Sequence, residues 1–150
     1  MPLAPGAVHA VKSRVDHNQK MNKFYKEERL CSKKSLDLLF KKGSSFLLYP
    51  YRATFVFDAQ PHKFPAQVVI NVAKKRYKHA HDRNLIKRRT REAYRLQKQA
   101  GLYELLPSKN ELLLLGLQYV GKEIYPYAFL EKRLGQLFKK LLTQINNEDN

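Results

Sequence analysis

The amino-acid sequence predicts an α+β domain in which helices pack against a single sheet. The hydrophobic pattern has helical spacing near residue 36, a period of two near residue 51, and helical spacing again after residue 82. These changes give the order helix, two or three strands, helix, strand, helix. With 150 residues, 43% of them hydrophobic, the chain is long enough for one compact core, and its length favours one domain over two.

The two ends of the chain are predicted to lie outside the folded domain. Residues 1–28 mix Pro, Gly, His and charged residues without a sustained period, which is typical of a flexible extension. Residues 146–150, NNEDN, form a polar tail that we expect to fray. The domain itself is therefore expected to span residues 29–145.

The first predicted element is a short amphipathic helix over residues 32–42. Leu36, Leu39 and Phe40 recur at helical spacing within it. Gly43 follows at the position where many helices end in the left-handed conformation, which favours glycine. The helix would pack its apolar stripe against the sheet.

Two strands are predicted to follow this helix. Residues 51–57 alternate between apolar and polar side chains, which places three aromatic residues on one face: Tyr51, Phe55 and Phe57. Residues 67–73 are rich in β-branched side chains with little alternation, as in a strand covered on both faces. Because the two segments are close in sequence, we expect them to pair antiparallel.

The remaining elements are a helix, a strand and a closing helix. Asp82 can cap the helix, and no Pro or Gly occurs after it until Gly101. Residues 112–120 have the apolar composition of a further strand. Apolar residues then recur at helical spacing over residues 127–145, which predicts an amphipathic helix.

The positive charge is concentrated in residues 74–91. Nine of these eighteen residues are Lys or Arg and one is an acid, so the segment supplies +8 of the formal net charge of +16. On a helical wheel, the polar residues of the second predicted helix lie opposite its apolar stripe. We call this set the basic ridge; it comprises Asn84, Lys87, Arg88, Arg91, Arg95 and Lys98. Arg89 falls inside the apolar stripe, where its stem would follow the core edge with the guanidinium reaching outward.

The excess of cations predicts a polyanionic partner. A helix stabilised by its own ion pairs would place acids four residues from its bases, yet only Asp82 and Glu92 occur between Lys74 and Ala100. The pI near 10 suits nucleic acid or an anionic membrane, but no apolar run approaches the roughly 20 residues needed to span a bilayer. We therefore expect a nucleic-acid partner, no membrane and no obligate protein partner. The first residues lack the features of a signal peptide, so we expect a cytoplasmic protein, and the single Cys31 allows no intrachain disulfide.

A specific resemblance is carried by the segment VINVAKKRYKHAHDRNLIKRRTREAYR. In it, a strand that ends in a Lys pair leads into a helix with the pattern A-x-x-R-N-x-x-K-R. The matching positions are Lys74, Lys75, Ala80, Arg83, Asn84, Lys87, Arg88 and Arg91. This signature resembles that of the protein subunit of bacterial ribonuclease P, and the similarity extends over residues 29–142. Two departures are a loop between Lys75 and Ala80 that is one residue longer than in many members, and Leu36 where members often have Phe.

The resemblance implies a fold and a function. The fold would be similar to ribosomal protein S5 domain 2, with about four strands in the order α-β-β-β-α-β-α. The function would be that of the protein subunit of a ribonucleoprotein endonuclease that removes the 5′ leader from precursor tRNA. Its partners would be the catalytic RNA subunit and precursor tRNA. The protein would broaden the substrate range and lower the metal requirement, while the RNA holds the Mg²⁺ that the holoenzyme needs.

Two RNA-binding surfaces follow from the residues and the resemblance together. The first is expected to dock on the catalytic RNA and comprises Lys74, Lys75, Arg76, Arg83, Asn84, Lys87, Arg88, Arg91 and Arg95. The second is a trough between the first helix and the sheet, where Phe40, Tyr51 and Phe55 would stack on bases of the leader. Aromatic residues on a strand face are often core residues instead, and Phe57 is expected to be one.

The sequence predicts no catalytic residue and no metal site in the chain. Asp37, Asp58 and Asp82 lie on different elements, whereas two-metal nucleases need several converging carboxylates. His79 and His81 form an H-x-H pair without a third ligand, so we interpret them as residues of a basic loop.

Three other functions remain to be distinguished. A non-enzymatic RNA-binding protein of ribosomal type would have the same size, charge and fold class but would not stimulate leader removal. A protein-only nuclease would cleave without an RNA subunit. A DNA-binding protein ranks lower, because the sequence lacks the helix-turn-helix and dimer signals of common DNA readers.

Overall fold

The computed structural model describes residues 23–60, 62–107 and 111–149, with side chains as far as residue 147. The main elements are α1 (Lys33–Lys42), β1 (Ser44–Leu48), β2 (Tyr51–Asp58), β3 (Ala66–Asn71), α2 (Ala80–Gly101), β4 (Leu112–Tyr119) and α3 (Tyr127–Asp149). Short 3-10 helices occur at Lys26–Glu28 and Tyr103–Leu105. The predicted α+β fold and its α-β-β-β-α-β-α order are confirmed.

The four strands form one mixed sheet in the order β1-β2-β4-β3. β2 is antiparallel to both β1 and β4, and β3 is parallel to β4. The expected antiparallel pairing of β2 with β3 is wrong, because β4 lies between them. β4 suits the central place, since its residues from 112 to 117 are buried on both faces of the sheet. The long connection through α2 allows the parallel pairing of β3 with β4.

Helices cover the two faces of the sheet unequally. α2 and α3 pack against one face and enclose the main core, which includes Phe55, Leu115 and Phe138. α1 crosses part of the other face, where Leu39 and Leu114 belong to a second, smaller cluster. Part of this second face is therefore left uncovered.

Both predicted ends of the domain need correction. Glu28 is completely buried, and Phe24 packs edge-on against Tyr94 with 5.6 Å between ring centroids, so residues 24–28 belong to the packed domain. The rest of the predicted extension, residues 1–22, lies outside the described residues. At the other end, the expected polar tail continues α3 as far as Asp149, because no helix-breaking residue interrupts the run.

Two helix boundaries differ from the prediction. α2 begins at Ala80 with His79 at its N-cap, so Asp82 is not the cap but lies in the first turn. The positive end of the helix dipole stabilises a carboxylate there. Gly43 ends α1 in an extended conformation (φ −74°, ψ 149°) and not in the left-handed one. A Cβ at this position would lie 2.8 Å from Thr54 Cγ2 and closer still to the Leu39 carbonyl oxygen. Close packing on β2 therefore explains this glycine.

Candidate RNA interface

The basic loop before α2 is held in place by hydrogen bonds to backbone carbonyls. Arg83 donates from Nη1 to the carbonyl oxygens of Tyr77 (2.9 Å) and Lys78 (2.8 Å). The Tyr77 hydroxyl in turn donates to the carbonyl oxygen of Gly121 at 2.8 Å. Arg83 is half-buried and acts as a brace for the loop, so its side chain is less available to RNA than the prediction assumed.

The other residues predicted to contact the catalytic RNA are accessible along the loop and the helix. The exposed members are Lys74, Lys75, Arg76, Asn84, Arg88 and Arg91, and Lys87 and Arg95 are half-exposed. Arg95 forms an ion pair with Glu92 and donates hydrogen bonds to both oxygens of its carboxylate. These hydrogen bonds lower the pKa of the Glu92 carboxyl. The remaining surface of the basic ridge is available for phosphates, which arginine can bind through two parallel N–H donors.

Lys98 does not belong to the basic ridge, although the helical wheel placed it there. Only 2% of its side chain is exposed, and its Nζ forms an ion pair with the fully buried Glu28. The segment 23–28 covers this end of α2, which the wheel of a single helix cannot show. Burial lowers the pKa of Lys98, and the hydrogen bond to Glu28 opposes that shift.

Arg89 lies at the edge of the core, as predicted. Its half-buried side chain follows the apolar stripe of α2, and Nη1 donates a 2.7 Å hydrogen bond to the carbonyl oxygen of Tyr125. The guanidinium therefore connects α2 to the segment before α3.

Tyr51 and Phe55 cannot line a trough for RNA, so this part of the predicted site is corrected. Tyr51 is completely buried and Phe55 is 2% exposed, because their face of β2 packs against α2 and α3. The Tyr51 hydroxyl is hydrogen-bonded to Thr90 at 2.7 Å, and burial raises its pKa to about 12. Phe57 is half-buried against the same core, as expected.

The accessible trough lies on the opposite face of the sheet. Cross-strand pairing places Leu47, Arg52, Gln118 and Asn71 in one row across all four strands, and we call this set the open row. Leu47, Arg52 and Asn71 are exposed and Gln118 is half-exposed. The sequence contained a signal for this row, since alternation placed Arg52 opposite the aromatic residues.

Phe40 is 64% exposed on α1. Ser35 is hydrogen-bonded to Gln60, which follows the far end of β2, so the Ser35 flank of α1 faces away from Arg52. On the helical wheel Phe40 lies 140° from Ser35, on the other flank. Phe40 and the open row therefore form one wall and the floor of a trough beside α1, and we call this feature the α1 trough.

The α1 trough and the basic loop meet at the same end of the sheet. β3 ends at Asn71, a member of the open row, and Lys74 follows three residues later. Arg76 donates from Nη1 to the carbonyl oxygen of Val120, just beyond the end of β4, at 3.4 Å. The surface therefore continues from the basic ridge through the loop into the trough.

The described residues contain no cluster of three or more His, Cys, Asp and Glu that could hold a metal ion. His79 and His81 are exposed at the start of α2, without an acidic cluster beside them in this part of the structure. None of the helices in the described part of the chain is long and apolar enough to cross a membrane.

The mixed sheet, its open row and the one-sided basic ridge define a small α+β protein with a continuous cationic surface. A model of the ribonuclease P family matches residues 24–142. The ribonuclease P protein component of Porphyromonas gingivalis is 29% identical over 109 residues, which cover 73% of this chain and 79% of that protein. The chain therefore belongs to the ribonuclease P protein family and is a protein subunit of this tRNA-processing ribonucleoprotein.

Solved structures support the same fold. The RNase P protein of Staphylococcus aureus superimposes with a TM-score of 0.59 at 18% identity and covers 76% of this chain and 94% of that one. The RNase P protein from Thermotoga maritima gives a TM-score of 0.58 at 23% identity, with 75% and 96% covered. Family membership also decides against the ribosomal-type and DNA-binding alternatives.

Proposed function

We propose that this subunit docks on the catalytic RNA and holds the 5′ leader of precursor tRNA, while the RNA carries out the cleavage in a cytoplasmic ribonucleoprotein. The observation that carries the proposal is the continuity of the basic ridge with the α1 trough. One RNA can occupy the ridge while a single strand enters the trough from the same end of the sheet. The two surfaces suit two different RNA partners.

The basic ridge suits the structured RNA. Phosphate contacts fix position without reading sequence, and exposed arginines such as Arg88 and Arg91 provide forked donors for them. Neutralising phosphates also reduces the repulsion between two RNA molecules, which would lower the Mg²⁺ concentration that the holoenzyme needs.

The α1 trough suits a single-stranded leader. Phe40 provides an exposed aromatic ring for stacking, and Arg52 and Gln118 provide donors on the trough floor. Stacking and backbone contacts depend little on base identity, so one trough could accept many leader sequences. This assignment replaces Tyr51 and Phe55 by residues on the accessible face.

We assign catalysis to the RNA because the described carboxylates of the protein do not converge on a metal site. Metal-dependent cleavage of RNA needs carboxylates or phosphates that hold two ions close together. The described carboxylates Asp37, Asp58 and Asp82 lie on α1, β2 and α2 and do not converge. The phosphates of an RNA subunit can hold such ions.

Reconstitution tests the division of labour. Removal of the 5′ leader is measured at low Mg²⁺ with a candidate RNA subunit, with and without this chain. We expect cleavage only when the RNA is present, and stimulation when the protein is added. Leader removal by the purified chain and Mg²⁺ alone would contradict RNA catalysis, and a protein without effect would contradict the proposal as a whole.

Substitutions then separate the two surfaces. Arg88→Ala with Arg91→Ala should weaken binding to the RNA subunit and flatten its salt dependence by roughly 0.7 to 0.9 in logarithmic slope per lost phosphate contact. Phe40→Ala should weaken binding of precursor tRNA by roughly fivefold or more and leave mature tRNA, which has no leader, unaffected. Lys132→Ala, at an exposed position on α3, is the control for both. Equal effects of Phe40→Ala on precursor and mature tRNA would contradict the trough assignment.

A further inference from the structure

A cavity of about 370 Å³ lies between the segment 23–28 and the middle of α2. One wall comes from the N-terminal segment and the residue after it, and the other comes from α2. The lining residues are Lys23, Phe24, Tyr25 and Arg29 on the first wall, and Arg88, Arg91, Glu92 and Arg95 on the second. This volume is near the lower limit of ligand pockets, roughly 300 to 1,000 Å³, so it suits one small group.

The charges around this cavity favour an anion. Among the described lining residues are five cationic side chains and one carboxylate, a formal excess of four positive charges. The carboxylate, Glu92, is already paired with Arg95. Arg88 and Arg91 are exposed and line the cavity from α2. Such a cluster of arginines is an arrangement that binds phosphate bidentately.

The opposite wall carries flat groups. The Tyr25 ring is stacked on Phe64, with 5.5 Å between centroids and 16° between planes, and it remains half-exposed. The Arg29 guanidinium lies 5.5 Å from the centroid of the Phe24 ring and is exposed. Nucleic-acid bases that are splayed out of a helix stack on both kinds of group, aromatic rings and guanidinium planes.

This wall is fixed before any ligand arrives. The backbone N–H of Tyr25 donates a 2.8 Å hydrogen bond to Glu28 Oε2, and the other oxygen of Glu28 accepts from Lys98 and Tyr103. The Phe24 ring is anchored on Tyr94. A preformed site loses less conformational entropy on binding than a flexible one.

We propose that this cavity binds one unpaired nucleotide of an RNA partner. Its base stacks on Tyr25 and Arg29, and its phosphate lies between Arg88 and Arg91. The inference deepens the proposed function and rests on it, because it turns part of the basic ridge from a general phosphate surface into a pocket for a single nucleotide. Structured RNA supplies such nucleotides at bulges and loops, and precursor tRNA supplies them in its leader.

The test uses the full chain and three probes: the catalytic RNA subunit, precursor tRNA, and a hairpin RNA with or without one bulged nucleotide. Tyr25→Leu keeps an apolar side chain but removes the aromatic face, and should weaken binding of the bulged hairpin about tenfold while the unbulged hairpin binds as before. The same variant is then tested with the RNA subunit and with precursor tRNA. The one of these two RNAs that Tyr25→Leu also binds more weakly is the source of the nucleotide. Urea denaturation of the variant checks that the domain stays folded.

A second variant changes affinity in the opposite direction. Glu92→Gln removes the one carboxylate among the described lining residues and should tighten binding of the bulged hairpin, whereas Lys132→Gln on α3 should change nothing. Two results would overturn the nucleotide pocket. One is equal affinity of the wild-type chain for the bulged and the unbulged hairpin, and the other is an equal loss of affinity for the two hairpins in Tyr25→Leu. If the wild-type chain still stimulates leader removal, that result leaves the proposed function standing; if the wild-type chain gives no stimulation, the proposed function itself fails.

Discussion

Replacing Lys98 by Met should destabilise the domain strongly, although the basic residues near it on α2, Arg91 and Arg95, are exposed or half-exposed. Glu28 Oε1 accepts hydrogen bonds from Lys98 Nζ and from the Tyr103 hydroxyl at 2.7 Å, and Oε2 accepts from the backbone of Tyr25. Lys98→Met leaves this buried carboxylate without its cation. Breaking a buried ion pair in this way costs about 3 to 5 kcal/mol, against a total stability of about 5 to 15 kcal/mol for a typical domain.

Urea denaturation measures this cost. For a domain of this size the free energy of unfolding falls by about 1 to 3 kcal/mol per molar urea, so Lys98→Met should lower the midpoint by about 2 M at unchanged slope. Glu28→Gln combined with Lys98→Met should recover part of the loss, because the carboxylate that lacked a partner is removed. Lys132→Met, at an exposed position, should change stability by less than about 0.5 kcal/mol. A Lys98→Met midpoint equal to that of the wild type would refute the reasoning.

Two further predictions concern packing and pH. Gly43→Ala should cost about 1 to 3 kcal/mol of stability, because the new Cβ would lie 2.8 Å from Thr54 Cγ2. Gly135→Ala should stabilise the domain by up to about 1 kcal/mol, since its Cβ meets mainly the end of the flexible Gln97 side chain. The urea midpoints of the two variants should therefore shift in opposite directions. Tyr51 should make the stability of the domain sensitive to alkali. Its pKa of about 12 in the folded state lies above the value of 10.0 for an ordinary tyrosine, which the unfolded chain would have. The free energy of unfolding is therefore unaffected below pH 10 and falls by roughly 2 to 3 kcal/mol as the pH rises to 12. Tyr51→Phe should reduce the fall measured by urea denaturation at each pH; an unchanged fall would contradict this assignment.

The sequence predicts what depends on neighbouring residues and misses what depends on distant ones. Helical spacing identifies α1, α2 and α3, and the order of Arg83, Asn84, Lys87 and Arg88 identifies the family. The partner of β2 could not be predicted in the same way, because strand pairing is decided by the most apolar strand, β4, more than fifty residues later.

The errors at the candidate site have the same origin. The alternation of side chains along β2 correctly places Tyr51 and Arg52 on opposite faces of the sheet. It does not show which of the two faces α2 and α3 cover. The wheel of α2 correctly places Lys98 beside the arginines, but the covering segment comes from seventy residues earlier in the chain. In both cases a local pattern defines a surface, and its burial is set by an element elsewhere in the sequence.

The central place of β4 determines the order in which the domain can fold during synthesis. β1 and β2 can pair as a hairpin as soon as they leave the ribosome, but β3 borders only β4 among the described strands. Pairing across such long sequence separations is slow to form. A nascent chain therefore presents its most basic segment, residues 74–91, before the sheet that supports it exists. Synthesis of β4 is the step that converts a cationic segment into a surface of defined shape.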